Sequence, residues 1–214
     1  MQLCAITDRR HLSAAPHSEA ALRRRLLDLV QDWTAGGVHF IQLREKDLSA
    51  SDLQSLAGEV AEKLDRSRSK LLVNVSAPES AALAVAAGAD GVHIAGKPTP
   101  GVARSVRQIL RAAGRDPIIS VPCHGLNDIH AARKEQVDLM LFSPVFEKHA
   151  GPEAAPQGLE ALRQACAAAE GIPVFALGGV TSINAHDCLT AGATGVAGIR
   201  LFAADDWLRL LPAN

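Results

Sequence analysis

The residues best suited to chemistry form a compact run near position 40, where apolar sequence gives way to charge. The run Phe40-Ile41-Gln42-Leu43-Arg44-Glu45-Lys46 follows Gly36-Gly37, so it reads as a strand entered from the end of a helix. Side chains alternate along a strand, which places Gln42, Arg44 and Lys46 on one side. Two cations at a strand end predict an anionic substrate. The alternative is a charged loop that only faces solvent.

A second candidate site lies near the end of the chain, where glycines follow apolar runs. Leu177-Gly178-Gly179-Val180-Thr181-Ser182 and Gly198-Ile199-Arg200 both have this form. Glycines let backbone N–H groups approach an anion, and a helix beginning after the first segment would add its dipole. We therefore predict a phosphate site at Gly178, Gly179, Gly198 and Arg200. A Gly-Gly turn needed only for a tight connection is the alternative.

His124 is the one histidine that the pattern places at a strand end beside a glycine. Histidine moves protons near neutral pH, so His124 is the candidate acid or base, although a polar lining role fits the spacing equally well. Cys123 precedes it, but adjacent strand residues point in opposite directions, which argues against a Cys–His pair. His93, within a strand, and His39, at a strand start, are interpreted as structural.

Eight short apolar runs, each followed by a helical pattern, position these residues. This order predicts an α/β fold, a single (β/α)8 barrel with its site at the C-terminal ends of the strands. A doubly wound open sheet is the alternative. Polar residues are expected at nearly every strand end: Asp8, Arg44 with Lys46, Asn74, His124, Ser143, Gly178-Gly179 and Arg200.

A short internal sequence repeat supports a barrel of two similar halves. Ala87-Gly88-Ala89-Asp90-Gly91-Val92 recurs as Ala191-Gly192-Ala193-Thr194-Gly195-Val196, each a helix stop followed by a strand start. No linker or change of composition divides the sequence, so residues 1–214 are predicted to form one domain. The loop at 144–156, rich in Gly, Pro and Ala, is the candidate lid.

Composition excludes several classes of function. The formal charge is −1, from 22 basic and 23 acidic residues, which gives no basic footprint for nucleic acid. The four cysteines contain no C-x-x-C pair, so neither a zinc site nor a disulfide framework is indicated. No apolar run approaches the ~20 residues that span a bilayer, and the first residues do not form a signal peptide. We expect a cytoplasmic protein without membrane association; a homo-oligomer remains open.

The ordered motifs resemble the thiamine phosphate synthase / TenI superfamily over nearly the whole chain. The resemblance implies a (β/α)8 barrel that acts on phosphorylated thiamine precursors. It rests on Ala5-Ile6-Thr7-Asp8, Ile41-Gln42-Leu43-Arg44-Glu45-Lys46, Val73-Asn74, Gly88-Ala89-Asp90-Gly91-Val92-His93, Cys123-His124, Ser143-Pro144-Val145-Phe146 and Ala176-Leu177-Gly178-Gly179-Val180.

The resemblance implies one of two activities. Synthases join a pyrimidine diphosphate to a thiazole phosphate with Mg²⁺, whereas TenI-like tautomerases aromatise a carboxythiazole phosphate without metal. The synthase pattern has carboxylates where this sequence has Val75 and Pro98, a serine where it has Pro122, and a T-x-T-K-like lid where it has Glu147-Lys148-His149-Ala150-Gly151. Mg²⁺ prefers oxygen ligands, which valine and proline side chains lack.

These departures favour a tautomerase that needs no metal or other cofactor. By resemblance, His124 matches the acid/base histidine of the tautomerases. Gln42, Arg44, Lys46 and Asn74 would bind the substrate, with one of the first three positioning its carboxylate, and the phosphate would lie at strands seven and eight. A synthase that uses Mg²⁺ is the first alternative. A non-catalytic binder of thiazole phosphate, with a regulatory role, is the second.

Overall fold

The computed structural model describes residues 1–11, 18–97, 99–112, 114–147, 155–203 and 205–211. Eight parallel strands pair in sequence order and close, β8 against β1, which confirms the predicted barrel. The strands are β1 Gln2–Ile6, β2 Phe40–Leu43, β3 Lys70–Val75, β4 Gly91–Ile94, β5 Ile118–Cys123, β6 Leu139–Phe142, β7 Val174–Ala176 and β8 Gly195–Gly198.

Helices surround the strands. They are α1 Glu19–Ala35, α2 Ala50–Lys63, α3 Pro78–Ala86, α4 Val102–Ala112, α5 Leu126–Lys134, α6 Gly158–Ala168, α7 Ala185–Thr190 and α8 Arg200–Ala203, with 3-10 turns at Arg9–His11 and Asp205–Leu210. Among the described residues, none of these helices is both long and apolar enough to cross a membrane.

Two apolar clusters show how each strand divides its side chains between the faces of the barrel. The larger cluster packs between strands and helices, and the smaller one fills the barrel interior. Along β3, Leu72 belongs to the interior cluster, while Leu71, Val73 and Val75 belong to the outer one. This alternation directs Asn74, the next interior position, to the C-terminal mouth.

The internal sequence repeat, at 87–92 and 191–196, corresponds to a steric requirement at two strand starts. Gly88 and Gly192 have φ of 97° and 102°, in the left-handed region that favours glycine after a helix. A Cβ on Gly91 would lie 2.0 Å from the Ile118 carbonyl oxygen, and one on Gly195 would lie 2.1 Å from the Gln2 oxygen. Neighbouring strands therefore approach so closely at both places that only glycine fits.

Serine side chains cap the first two helices. Ser18 caps α1 and accepts from the Ala21 N–H, and Ser49 caps α2 and accepts from the Asp52 N–H. The helix after β7 begins at Ala185, three residues beyond Ser182, and the short α8 follows β8.

We predict that Gly91→Ala destabilises the barrel by at least about 2 kcal/mol, because the new methyl group overlaps the Ile118 backbone. Gly58→Ala is the matched control, since Gly58 lies within α2 and the nearest heavy atom to its Cβ would be 3.9 Å away. That change should stabilise by up to about 1 kcal/mol through helix propensity. Urea unfolding measures both, and equal midpoints for the two variants would contradict the steric account.

Candidate active site

The floor of the mouth is formed by two amides from neighbouring strands. Gln42 is 2% exposed, and its Nε2 donates to Asn74 Oδ1 at 3.3 Å. Its Oε1 is buried and has no hydrogen-bond partner among the described residues. Because an unpaired buried acceptor is costly, this oxygen is suited to receive a hydrogen bond from a ligand.

Arg44 lies above this floor, on the interior side. Its backbone N–H donates to Thr7 Oγ1 at 2.9 Å, which ties the end of β2 to the end of β1. Burial lowers the pKa of His93, and the charge of Arg44 adds to this effect. The structure therefore brings Gln42, Arg44 and Asn74 together, while Lys46 lies exposed in the turn beyond them.

His93 is held inside the barrel as a neutral ring. Its Nδ1 lies 3.0 Å from the Ser120 hydroxyl, and the residue is 5% exposed. Burial, with a smaller effect from the Arg44 charge, lowers its pKa to about 3. Its position fits the structural role expected from sequence, and Ser120 is a partner that the sequence did not indicate.

His124 is exposed at the end of β5 and its ring is fixed by a backbone carbonyl. Its Nδ1 lies 2.7 Å from the Ser143 oxygen, and a carbonyl only accepts, so Nδ1 carries the hydrogen. In the neutral ring, Nε2 is then unprotonated and able to accept a proton. The Asp128 carboxylate accepts from the His124 N–H at 2.8 Å, and Gln157 Nε2 donates to the same Ser143 oxygen.

Cys123 does not act with His124. Its side chain is fully buried in the outer cluster, on the opposite side of the strand. Burial raises the pKa of its thiol to about 12, so it is not a thiolate near neutral pH. Cys123 and His124 therefore lie on opposite sides of the strand, as strand alternation predicts.

The glycine pair after β7 adopts a backbone that other residues rarely form. Gly178 and Gly179 have φ of 92° and 67°, and a Cβ on Gly179 would lie 2.4 Å from the Glu147 oxygen. Their carbonyls accept from Phe146 N and Asn184 Nδ2. Within the described part of the chain, neither glycine N–H has a partner, so both can donate to an anion.

The expected helix dipole after β7 is displaced from the glycine pair. The Thr181 N–H donates to Asn184 Oδ1 at 2.8 Å, and the Ser182 N–H and hydroxyl both donate to the Asp206 carboxylate. These side chains occupy the donors that a helix start at Ser182 would have offered. The sequence did not reveal this because Asp206 lies 24 residues further along the chain.

The end of β8 lies beside the glycine pair, because β7 and β8 are neighbours in the barrel. Gly198 is buried, and a Cβ there would lie 3.1 Å from that of Leu201. Arg200 is exposed at the start of α8, and its backbone N–H has no partner in the described ranges. Gly178, Gly179, Gly198 and Arg200 therefore follow adjacent strand ends, as the phosphate hypothesis requires.

The described part of the mouth does not contain a preformed cluster of metal ligands. Among the described residues, no three His, Cys, Asp or Glu side chains lie close enough to hold a metal ion. Val75 packs in the outer cluster, and the Glu45 carboxylate accepts hydrogen bonds from Arg9. Pro98 and residues 148–154, which include most of the expected lid, lie outside the described residues.

The fold and this mouth define a (β/α)8 barrel that carries its site at the C-terminal strand ends. The model of the TMP-TENI family, described as thiamine monophosphate synthase, matches residues 11–202. The chain therefore belongs to this family, which confirms the resemblance in its motifs.

Individual relatives cover most of the chain. A Geobacter sulfurreducens protein named "Putative thiamine-phosphate synthase" is 40% identical over 85% of this chain and 81% of its own length. The thiamine-phosphate synthase of Alcanivorax borkumensis is 34% identical, covering 94% and 83%. The solved thiamine phosphate pyrophosphorylase of Pyrococcus furiosus superposes with a TM-score of 0.74 at 25% identity, covering 98% and 91%. These names agree with the synthase alternative, and none of the three names a tautomerase.

We predict that His93 makes stability depend on pH. Its folded pKa of about 3 lies below its ordinary 6.5, so its stabilising contribution is complete above pH 6.5 and is lost as the pH falls towards 3. Across this window the free energy of unfolding should fall by up to about 1.4 kcal/mol per pH unit because of this residue.

Urea unfolding of His93→Asn between pH 6 and pH 4 measures the effect as a shallower slope than that of the wild type. His130→Asn, on the exposed face of α5, is the control and should keep the wild-type slope. Parallel slopes for His93→Asn and the wild type would show that His93 is not held neutral.

Proposed function

We propose that this protein acts on a phosphorylated thiazole in thiamine biosynthesis, and that its reaction is the metal-independent tautomerisation of a carboxythiazole phosphate to its aromatic form. The observation that carries the proposal is the fixed His124 ring, whose Nδ1 contacts the Ser143 carbonyl and leaves Nε2 as the nitrogen that can exchange a proton with a substrate. Family membership supports the pathway, and the apolar Val75 at the end of β3, which cannot ligate a metal, supports a reaction that needs none.

In this proposal the phosphate binds at the ends of β7 and β8. The N–H groups of Gly178, Gly179 and Arg200 would donate to its oxygens, and the Arg200 side chain would add charge. The Arg44 guanidinium would receive the carboxylate, assisted by Lys46 from the rim, while Gln42 and Asn74 line the floor. Two separated anion sites would fix the ring between them, which is the positioning that proton transfer needs.

His124 would then move the proton. Nε2 accepts the proton from the ring carbon, the electron pair moves through the ring to the exocyclic carbon, and that carbon takes a proton from the imidazolium. The atoms balance, because one proton leaves one carbon and one is delivered to another. The Ser143 carbonyl, which already accepts from Nδ1, would stabilise the charged ring between the two transfers.

The synthase reaction is the second candidate, and the names of the relatives favour it. It would use the same thiazole phosphate site and bind a pyrimidine diphosphate beside it. Mg²⁺, if bound, would offset the negative charge that develops on the departing diphosphate. Among the described residues, no group of three metal-binding side chains is present for such an ion, and the Val75 side chain offers no oxygen ligand.

A paired turnover assay separates the two candidates. One arm supplies the carboxythiazole phosphate tautomer, the other supplies pyrimidine diphosphate with thiazole phosphate, and both are run with EDTA and with Mg²⁺. Isomerisation in EDTA without formation of thiamine phosphate supports the tautomerase. Mg²⁺-dependent thiamine phosphate formation would overturn it in favour of the synthase, and binding without turnover in either arm would indicate a non-catalytic binder.

For the tautomerase, we predict that His124→Gln lowers kcat by about 10²–10⁴-fold, the usual contribution of a positioned acid or base. KM should change little, because glutamine keeps the bulk of the side chain and the anion sites are elsewhere. His130→Gln, on the exposed face of α5, should leave both constants unchanged. A kcat for His124→Gln within a few-fold of wild type would reject the assignment.

A further inference from the structure

The guanidinium of Arg9, just after β1, is buried and fully hydrogen-bonded. Its side chain is 1% exposed, and five bonds of 2.7–2.9 Å account for its five N–H donors. Two go to Glu19, two to Asp47 and one to Glu45. Lysine has three donors on one atom and could not reproduce this arrangement.

These bonds join three segments: the turn after β1, the start of α1 and the segment that follows β2. Glu19 is the first residue of α1, while Glu45 and Asp47 follow β2. The Glu45 carboxylate also accepts the Arg9 backbone N–H, at 3.2 and 3.1 Å to its two oxygens. The Arg9 contacts hold the pKa of Asp47 below its usual range, so its charge persists in mildly acidic solution.

Hydrogen bonds hold the chain at Arg44 and at the residue that follows it. The N–H of Arg44 is bonded to Thr7, and Glu45 is buried against Arg9. Because successive side chains alternate, fixing Glu45 away from the interior directs Arg44 towards it. Burial lowers the pKa of His93, and the Arg44 charge adds to this effect, so the Arg44 charge acts on the interior of the barrel.

We propose that Arg9 is a positioning residue, which through Glu45 holds Arg44 in the orientation that binds the substrate carboxylate; the role assigned to Arg44 rests on the proposed function. Arg9 itself does not touch the substrate. Its effect on the reaction should therefore be exerted entirely through Arg44.

The test uses a double variant, because Arg9→Met alone would leave the buried Glu45 charge unpaired and could prevent folding. R9M/E45M replaces both charges by apolar side chains. R23M/E59M is the matched control, since Arg23 and Glu59 form a more exposed ion pair between α1 and α2. R44M and the triple variant R9M/E45M/R44M complete the set.

The first readout is steady-state turnover of the carboxythiazole phosphate. We expect R44M and R9M/E45M each to raise KM by about tenfold or more, with a smaller effect on kcat, as lost charge-assisted binding predicts. The triple variant should be no worse than R44M, and R23M/E59M should match the wild type. A triple variant whose defect is the product of the two separate defects would overturn the proposal.

The second readout needs no substrate. Amide hydrogen exchange by NMR should be at least about tenfold faster at Arg44 in R9M/E45M than in the wild type, because the strand end is released, and unchanged in R23M/E59M. Wild-type exchange at Arg44 in R9M/E45M would overturn the proposal. If the wild type turns over no substrate, the proposed function fails, while this exchange measurement still decides whether Arg9 positions Arg44.

Discussion

Closure of the eight-stranded barrel is the constraint on which the rest of the molecule depends. Because all strands run parallel and their side chains alternate, every second residue faces a common interior, and the last such residue of each strand reaches one mouth. Closure also brings backbones so near at Gly91 and Gly195 that no side chain fits. The polar residues that meet at the mouth are thus far apart in sequence and adjacent in space.

Within this mouth, the surroundings of two histidines differ. His93 is enclosed beside Ser120 and under the charge of Arg44, which keeps it neutral. His124 stands in solvent with its Nδ1 committed to the Ser143 carbonyl, so Nε2 remains available. The anion-binding sites proposed on either side, at Arg44 and at the glycine pair, would hold a substrate that carries two negative groups. A base between two anion sites suits proton transfer on a bound ring.

Strand order, the barrel and the grouping of Gln42, Arg44 and Asn74 could be predicted because they follow from short-range alternation. The repeated glycine motif could be recognised for the same reason, since each copy meets a local steric requirement. The partners of these residues could not be predicted. Arg9 and Glu45 are 36 residues apart in the sequence, and Asp206, which accepts from the Ser182 N–H, lies 24 residues beyond it. Contacts between residues so far apart produce no periodic pattern in the sequence. The helix start after β7 was misplaced for that reason, because a distant carboxylate satisfied the donor that a helix cap would have used.

In the proposed complex, one ring is held between two anion-binding sites with His124 above it. A crystal structure of the wild-type protein with the aromatic carboxythiazole phosphate tests this most directly. We expect phosphate oxygens within hydrogen-bond distance of the Gly178, Gly179 and Arg200 N–H groups, the carboxylate on the Arg44 guanidinium, and His124 Nε2 facing the ring. A phosphate bound away from the glycine pair, or a ring beyond the reach of His124, would contradict the account.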